Sequence, residues 1–488
     1  MIALEQSVSL WSDWRIVLAV AGGVIGICTA IHVVLHKHDP RSALLWVGLV
    51  VFAPILGALL YATFGINRVA RRAVSLRRGV QRREGEPAAG GLDPTEFAAG
   101  LGPNCAHLAA LEQVLSRVTS RQLFAGNRIT PWFDTERARD AMLDAIEGAT
   151  RSVSLASYLF EADRTGLEFV ERLAAARDRG VEVRVLVGEI GLPFVKPRID
   201  AVLRRRGIEH ALFFARAATL ITGTFNMRNH RKLCVVDGRI GFTGGMNIHD
   251  GCRGDAPADR RVLDAHFTVE GPAVSQMQDV FAEDWQFATG KMLRGDLWYP
   301  SLEPSGPVVA RGIADGPDKR YRKLVAVILG ALATAQRRVR IVTPYFLPDQ
   351  ALIGALNVAA MRGVRIDVVV PERTNVRLVR WAMPQVFAQL VESGCRIWAV
   401  PGAFDHSKLL VVDDCWSLIG SPNWDTRSLR LNFEFAYGCH DPTLAAAIAA
   451  HIDGRIALAR AITREQLDAR SAPSRVLHGM ARLWAPMI

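Results

Sequence analysis

The chain has 488 residues, half of them hydrophobic, which is long enough for more than one ordinary domain with a sizeable core. Its formal net charge of +11 calls for acidic partners, with nucleic acid and anionic membrane as the two candidates, to be separated by where the charge sits. The seven cysteines (Cys28, Cys105, Cys234, Cys252, Cys395, Cys415 and Cys439) are odd in number, scattered and without a CxxC; this excludes a disulfide framework and a zinc site and predicts reduced thiols in a reducing compartment.

Two apolar stretches open the chain, at 16–35 and 43–64, separated by the polar HKHDPRS. Each has about the 20 residues that a bilayer-crossing helix needs. Neither shows a polar face, and the first lacks the basic n-region of a secretory signal. They predict a two-helix transmembrane hairpin over residues 1–66, with Pro54 as a kink and Gly22 and Gly26 as close-packing positions. An arginine run follows (Arg68, Arg71, Arg72, Arg77, Arg78, Arg82, Arg83), against only Lys37 and Arg41 in the loop between the spans. The positive-inside rule then puts both termini in the cytoplasm and only residues near His36 to Ser42 outside. Beside a membrane, each such arginine gains about 1 kcal/mol from anionic headgroups.

Residues 67–123 read as this basic segment plus a linker, rich in Gly, Ala and Pro from Glu84 to Pro103. From about Phe124 the pattern alternates: a strand at 152–159, a helix at 166–179, a strand at 181–187. The second half answers the first, RVRIVTPYFLPD at 338–349 matching SVSLASYLFEAD at 152–163 and RGVRIDVVV at 362–370 matching RGVEVRVLV at 179–187. This internal duplication predicts two α/β lobes, at 124–305 and 306–473, each a β-sheet sandwiched by helices, with a pseudo-twofold axis between them. In the tail, 474–488, Val476, Leu477, Met480, Leu483 and Trp484 share one helical face. Packing against the domain is the default reading and an interfacial helix the alternative.

Each half contains one copy of a longer motif: HRKLCVVDGRIGFTGGMN from His230 to Asn247 and HSKLLVVDDCWSLIGSPN from His406 to Asn423. The run LCVVD predicts a short buried strand with His230 and Lys232 on one face. An imidazole beside an ammonium suits an anionic phosphate, the ring attacking phosphorus while the lysine neutralises phosphoryl oxygens. Lys408 takes the same place beside His406. Gly244 and Gly245 allow close backbone approach, Ser421 stands where the second copy has no second glycine, and Asn247 and Asn423 offer amide donors. Asp237 and Asp413 end the strands and are motif members read as turn caps or ion-pair partners at least as readily as reactants. Lysines and asparagines supply the charge a metal would bring, and no P-loop or metal-ligand spacing is present in the sequence, so neither metal nor cofactor is expected.

Doubled HxKxxxxD motifs followed by GGxN or GSxN resemble the phospholipase D superfamily. NHRKLCVVDGRIGFTGGMN, DAHFTVEGPAV at 264–274, TPYFLPD at 343–349 and GSPNWDTRSLRLNFEF at 420–435, with the N-terminal spans and basic segment, resemble its bacterial cardiolipin synthases. The resemblance implies two phospholipase D-like lobes cytoplasmic to a bacterial inner membrane. It implies phosphatidyl transfer between two phosphatidylglycerols, giving cardiolipin and glycerol through a phosphatidyl-histidine, with no nucleotide consumed. The family pattern places a histidine-orienting carboxylate at Glu434, taken as serving His406. Asp264 is the candidate for His230, with Glu270 close by, and His249, His266 and His440 are read as structural. A phospholipase D hydrolase using water is the nearest alternative. A nucleic-acid phosphodiesterase is disfavoured because the arginines concentrate beside the spans, and an inactive scaffold because both motifs are intact.

Overall fold

Valine- and isoleucine-rich runs need covered faces, and in the computed structural model the chain supplies them with helices packed on a mixed sheet. The structure describes residues 2–37, 40–65, 91–119, 121–188, 197–213, 228–316 and 322–483; the arginine run from Arg68 to Arg83 lies outside them. Two units are distinguished, Met1–Arg71 and Arg72–Ile488.

The first unit is helical: α1 (Ile2–His36), α2 (Pro40–Phe52) and α3 (Pro54–Leu60), closed by a π turn at Tyr61–Gly65. Within α1, Ile16–His36 is long and apolar enough to cross a membrane. The second apolar stretch, expected as one span kinked at Pro54, is broken there into two helices. Pro54 has no N–H to continue the helix, Ala53 leaves the helical region (φ −141°, ψ 76°), and a Cβ on Gly57 would meet the backbone of Leu49 and Val50. The segment therefore folds back at Ala53, and neither α2, at about 20 Å, nor α3, at about 10 Å, reaches the ~30 Å of a hydrocarbon core by itself. Gly22 and Gly26 face this bend, where added Cβ atoms would touch Ile55 and Pro54.

In the second unit the linker expectation fails from Gly91 onward. Strand β1 (Gly91–Leu92) pairs antiparallel with β2 (Leu123–Trp132), and Asp93 caps a helix at Pro94–Ala99 by accepting from the Thr95 and Glu96 amides. Asp followed by Pro is a helix-start signal that the Gly/Ala/Pro composition obscured.

The sheet of the first half runs β5 (His210–Phe213), β4 (Glu182–Gly188), β3 (Ser152–Ser157), β7 (Leu233–Val236), β8 (Ile240–Gly244), β10 (His266–Glu270), β2. The second half has the same order, β15 (Arg396–Val400), β14 (Arg365–Pro371), β12 (Arg338–Val342), β17 (Leu409–Val412), β18 (Trp416–Gly420), β20 (Asn432–His440), β11 (Val308–Asp315). Antiparallel pairing of β2 with β11 joins the two sheets. Alternate residues Val153 and Leu155 of β3 and Val183, Val185 and Val187 of β4 enter one core with Leu143, Phe169 and Leu173. Ile341, Val368 and Ile397 enter another with Ile328, Leu356 and Phe387.

Both motif aspartates are turn caps. Asp237 and Asp413 adopt left-handed backbone (φ 54° and 55°) and accept from three successive amides at the head of a neighbouring strand. These are Thr150, Arg151 and Ser152 for Asp237, and Gln336, Arg337 and Arg338 for Asp413. Burial pushes each carboxyl up, but these donors outweigh it and hold both below the usual range.

His107 also bonds Asp413 (2.7 Å), and nearby Cys105 and Cys415 form a disulfide with Cα atoms 5.7 Å apart. This pair corrects the expectation of reduced thiols throughout; Cys28, Cys234, Cys252, Cys395 and Cys439 are free. The partners stand 310 residues apart, so only the docking of the segment around His107 on the β17–β18 turn brings them together.

The tail helix is Ala472–Leu483, with Trp484 outside the described residues. Its apolar stripe does not pack on the domain: Val476, Leu477, Met480 and Leu483 are exposed, while Ala481 at the edge of the stripe is buried and the helix rests on Arg377–Glu392.

Asp413→Ala strips an acceptor from three amides and His107, so the unfolding free energy should fall by about 1–3 kcal/mol or more. Asp413→Asn, retaining one acceptor oxygen, should lose less in the same urea titration.

Candidate active site

The two motif histidines do not lie within their strands. Each follows a two-residue strand, β6 (Arg228–Asn229) or β16 (Phe404–Asp405), and precedes β7 or β17 in extended backbone. These short strands pair across the molecule. β6 runs parallel to the start of β20, with Phe433 opposite Asn229, and β16 runs parallel to β9 (Val262–Leu263), with Leu263 opposite Asp405. The histidine amides continue both ladders, His230 donating to the Phe433 carbonyl (2.9 Å) and His406 to the Leu263 carbonyl (2.7 Å). The next residue in each partner segment is the carboxylate.

The carboxylates therefore serve crossed histidines. His230 Nδ1 lies 3.0 and 3.1 Å from the two Glu434 oxygens, and His406 Nδ1 lies 2.8 Å from Asp264 Oδ2. This reverses the expected assignment of Glu434 to His406 and Asp264 to His230. Each carboxylate sits beside the glycines of its own motif, since Gly244 pairs with His266 and Gly420 with Ala436, but points at the imidazole of the other motif. Glu270 lies at the far end of β10, opposite Ile240 and Arg128.

The two pairs differ in support. Glu434 accepts from the hydroxyls of Ser421 and Ser428 (2.6 Å for Ser428) and from the Asn432 amide (3.3 Å). Asp264 accepts one backbone N–H, from Ala265 (2.8 Å). Gly245 has no side chain because a Cβ there would strike the Asp264 carboxylate, whereas Ser421 at the matching place is one of the groups holding Glu434.

Lys232 donates to the His230 carbonyl (2.7 Å), and Lys408 donates to the His406 carbonyl while lying 2.9 Å from His406 Nδ1. Asn247 and Asn423 each keep a buried amide oxygen without a protein partner. Burial dominates every ionisable group here. It holds both imidazoles well below their ordinary value, helped by the two lysines, and pushes Asp264 up to about 8 and Glu434 up to about 7. It also lowers Lys232, and brings Lys408 to about 8. An arriving phosphodiester adds negative charge between the lysines and raises the proton affinity of both rings.

Several residues escaped the sequence reading. Arg231, between His230 and Lys232, is fully buried and clamps Asp284 (2.6 Å) and the carbonyls of Glu434 and Asp315 (3.1 Å each). An arginine heading an apolar strand was the available signal. Tyr158 stands edge-on to His230 with ring centroids 4.9 Å apart, and Tyr345, one place further along the repeat, stands 6.2 Å from His406. His249 caps a short turn by accepting from the Gly251 amide, His440 bonds Glu112, and His266 is buried with neither ring nitrogen partnered.

Below about pH 8 Asp264 holds a proton that the His406 pair can donate and Lys408 is charged; above it both are lost. Turnover measured as kcat/KM should therefore fall as pH rises through about 8, and Asp264→Asn should displace or abolish that alkaline limb.

Comparisons with known proteins show the family. Residues 142–285 and 328–456 match a family described as cardiolipin synthase, PLD-like domain, and residues 24–65 match one described as phospholipase D-nuclease N-terminal. Cardiolipin synthase A of Pseudomonas putida (strain GB-1) is 31% identical over 468 residues, 95% of this chain and 96% of its own. The cardiolipin synthase of Oceanobacillus iheyensis is 29% identical over 470 residues, 95% of this chain and 98% of its own. The crystal structure of phosphatidylserine synthase from Haemophilus influenzae Rd KW20 superposes with a TM-score of 0.57 over 77% of this chain and 98% of that one at 14% identity, a likeness of fold.

Proposed function

The chain belongs to the cardiolipin synthases, phosphatidyltransferases of the phospholipase D superfamily, and from that premise we propose how its residues divide the reaction. The observation that carries the reading is the crossed pair of imidazole–carboxylate contacts, each with a lysine two residues on. Lys232, Lys408, Asn247 and Asn423 take the phosphodiester oxygens of a phosphatidylglycerol. A carboxylate on Nδ1 keeps the proton there and leaves Nε2 as the reactive nitrogen. His230 is the nucleophile, because three donors besides the ring stabilise Glu434 as an anion behind it. The His406–Asp264 pair, with one backbone donor, holds the proton.

His230 Nε2 attacks phosphorus, the bond to the headgroup glycerol breaks, and His406 protonates the departing alkoxide, leaving a phosphatidyl-histidine. His406, now a base, takes the proton from the primary hydroxyl of a second phosphatidylglycerol. That oxygen attacks phosphorus, the P–N bond breaks, and cardiolipin forms. One diester replaces another, so no nucleotide is consumed.

Residues 124–305 and 306–473 act as two lobes about a pseudo-twofold axis, a reading supported by the identical strand orders and the β2–β11 pairing. The apolar N-terminal unit anchors the enzyme, and the arginines beyond it place the lobes on the cytoplasmic side of the bacterial inner membrane. The exposed face of Ala472–Leu483, flanked by Arg475 and Arg482, suits the headgroup layer of an anionic leaflet.

Acid–base groups each contribute about 10²–10⁴-fold. His230→Ala and His406→Ala should each lower cardiolipin synthesis in phosphatidylglycerol vesicles by at least about 10³-fold while melting like the parent. With labelled phosphatidylglycerol, His406→Ala should retain label on histidine and His230→Ala none; wild-type synthesis by either variant would refute the shared site. A reporter fused after Gln81 should be active only as a cytoplasmic reporter, and periplasmic activity would overturn the topology.

A further inference from the structure

Cardiolipin formation brings two phosphodiesters into one site, and the paired lysines and asparagines account for one. The second phosphatidylglycerol carries its own phosphate at the far end of the glycerol whose hydroxyl attacks. Beside His230 the fold builds a second cationic cluster that the chemistry above leaves unused.

Arg228, on β6, stands opposite Asn432 in the parallel pairing with β20. From the other half, the carbonyl of Arg427 accepts the amides of Leu431 (2.8 Å) and Asn432 (3.1 Å), so its turn closes on the same strand. Arg228 Nη1 donates to the Tyr158 hydroxyl (3.1 Å), and its Nε is buried without a hydrogen-bond partner. The Tyr158 ring in turn touches the His230 imidazole and has Lys232 Nζ 5.2 Å from its centre, so Arg228 lies one tyrosine ring from the reacting group. Arg427 is 6% exposed. Burial, and after it the charge of Arg228, hold Arg427 down to about 10, which marks two like charges set close together. Neighbouring guanidiniums in such a place gain from an anion whose oxygens accept from both.

Among the described residues, the matching places beside the second motif hold no such cluster. Two residues before its histidine stands Phe404, whose ring lies 5.7 Å from His406, and four residues after Asn247, where Arg427 follows Asn423, stands Gly251. One wall of the site is cationic and the other aromatic, although the catalytic groups between them are duplicated. A site meant only for one phosphodiester gains nothing from this asymmetry. A site that must seat a second anion does.

We infer that Arg228 and Arg427 bind the phosphate of the acceptor lipid, so that the enzyme selects a phosphate-bearing alcohol over water or free glycerol. The inference rests on the synthase reading above. It makes Arg228 and Arg427 specificity determinants, and Tyr158 the residue that positions Arg228 against the reaction centre.

The test compares two reactions of the full-length protein in phosphatidylglycerol vesicles: cardiolipin formation, and exchange of labelled free glycerol into phosphatidylglycerol, which uses the same donor with an acceptor lacking phosphate. Arg228→Gln and Arg427→Gln should each lower the ratio of synthesis to exchange by about 10-fold or more, through a higher KM for lipid in synthesis. Arg228→Lys, retaining the charge, should recover part of that ratio. If synthesis and exchange fall together, the arginines serve the donor phosphate, and if both rates stay at their parent values they serve neither; both results overturn the inference. Failure of the parent enzyme to make cardiolipin at all would instead overturn the synthase reading.

Discussion

Two hydrogen bonds between imidazole and carboxylate, each made by partners from opposite halves, are the constraint on which the site depends. A histidine amide bonds the carbonyl just before the other half's carboxylate, so main-chain pairing and side-chain pairing are set by the same contact. Neither half holds a complete imidazole–carboxylate pair. The β2–β11 ladder joining the sheets and the short β6–β20 and β9–β16 pairs are thus part of the chemistry as well as of the fold.

Burying so many charged groups is tolerable because most of them are answered. Arg231 meets Asp284, Glu434 meets two hydroxyls and an amide, and Asp237 and Asp413 meet runs of backbone N–H. Strongly perturbed groups gather at the crossed pairs: the two histidines, the two lysines and the two carboxylates. Strain follows the same division. The left-handed aspartates hold turns at the strand ends away from the reacting atoms, and they shape the site only by fixing where β7 and β17 end.

Much of this was legible in the chain because duplication is a pattern of spacing, and spacing survives in sequence. The repeated strands, the paired motifs and the candidate carboxylates could all be read from residue order. Contacts between distant segments could not. Nothing near Asp264 says that it serves His406, and nothing near Cys105 points to Cys415. The bend at Ala53 was half visible in Pro54, but its sharpness depends on Gly57 lying against Leu49 and Val50. The exposed stripe of the tail was legible as amphipathic, yet which side faced the protein was decided by Ala481 and the helix beneath it.

Gly245 and Ser421 occupy matching places, one leaving room for a short carboxylate and the other gripping a longer one. A serine grafted at 245 would collide with Asp264, and a glycine at 421 would release one donor from Glu434. The two halves descend from one pattern but are no longer interchangeable parts: a chain assembled from two copies of either half would mismatch at this contact. Sequence drift here has to proceed by compensated pairs, a small residue travelling with aspartate and a hydroxyl with glutamate, and that coupling preserves the difference between the two carboxylates, Asp264 pushed up to about 8 and Glu434 to about 7.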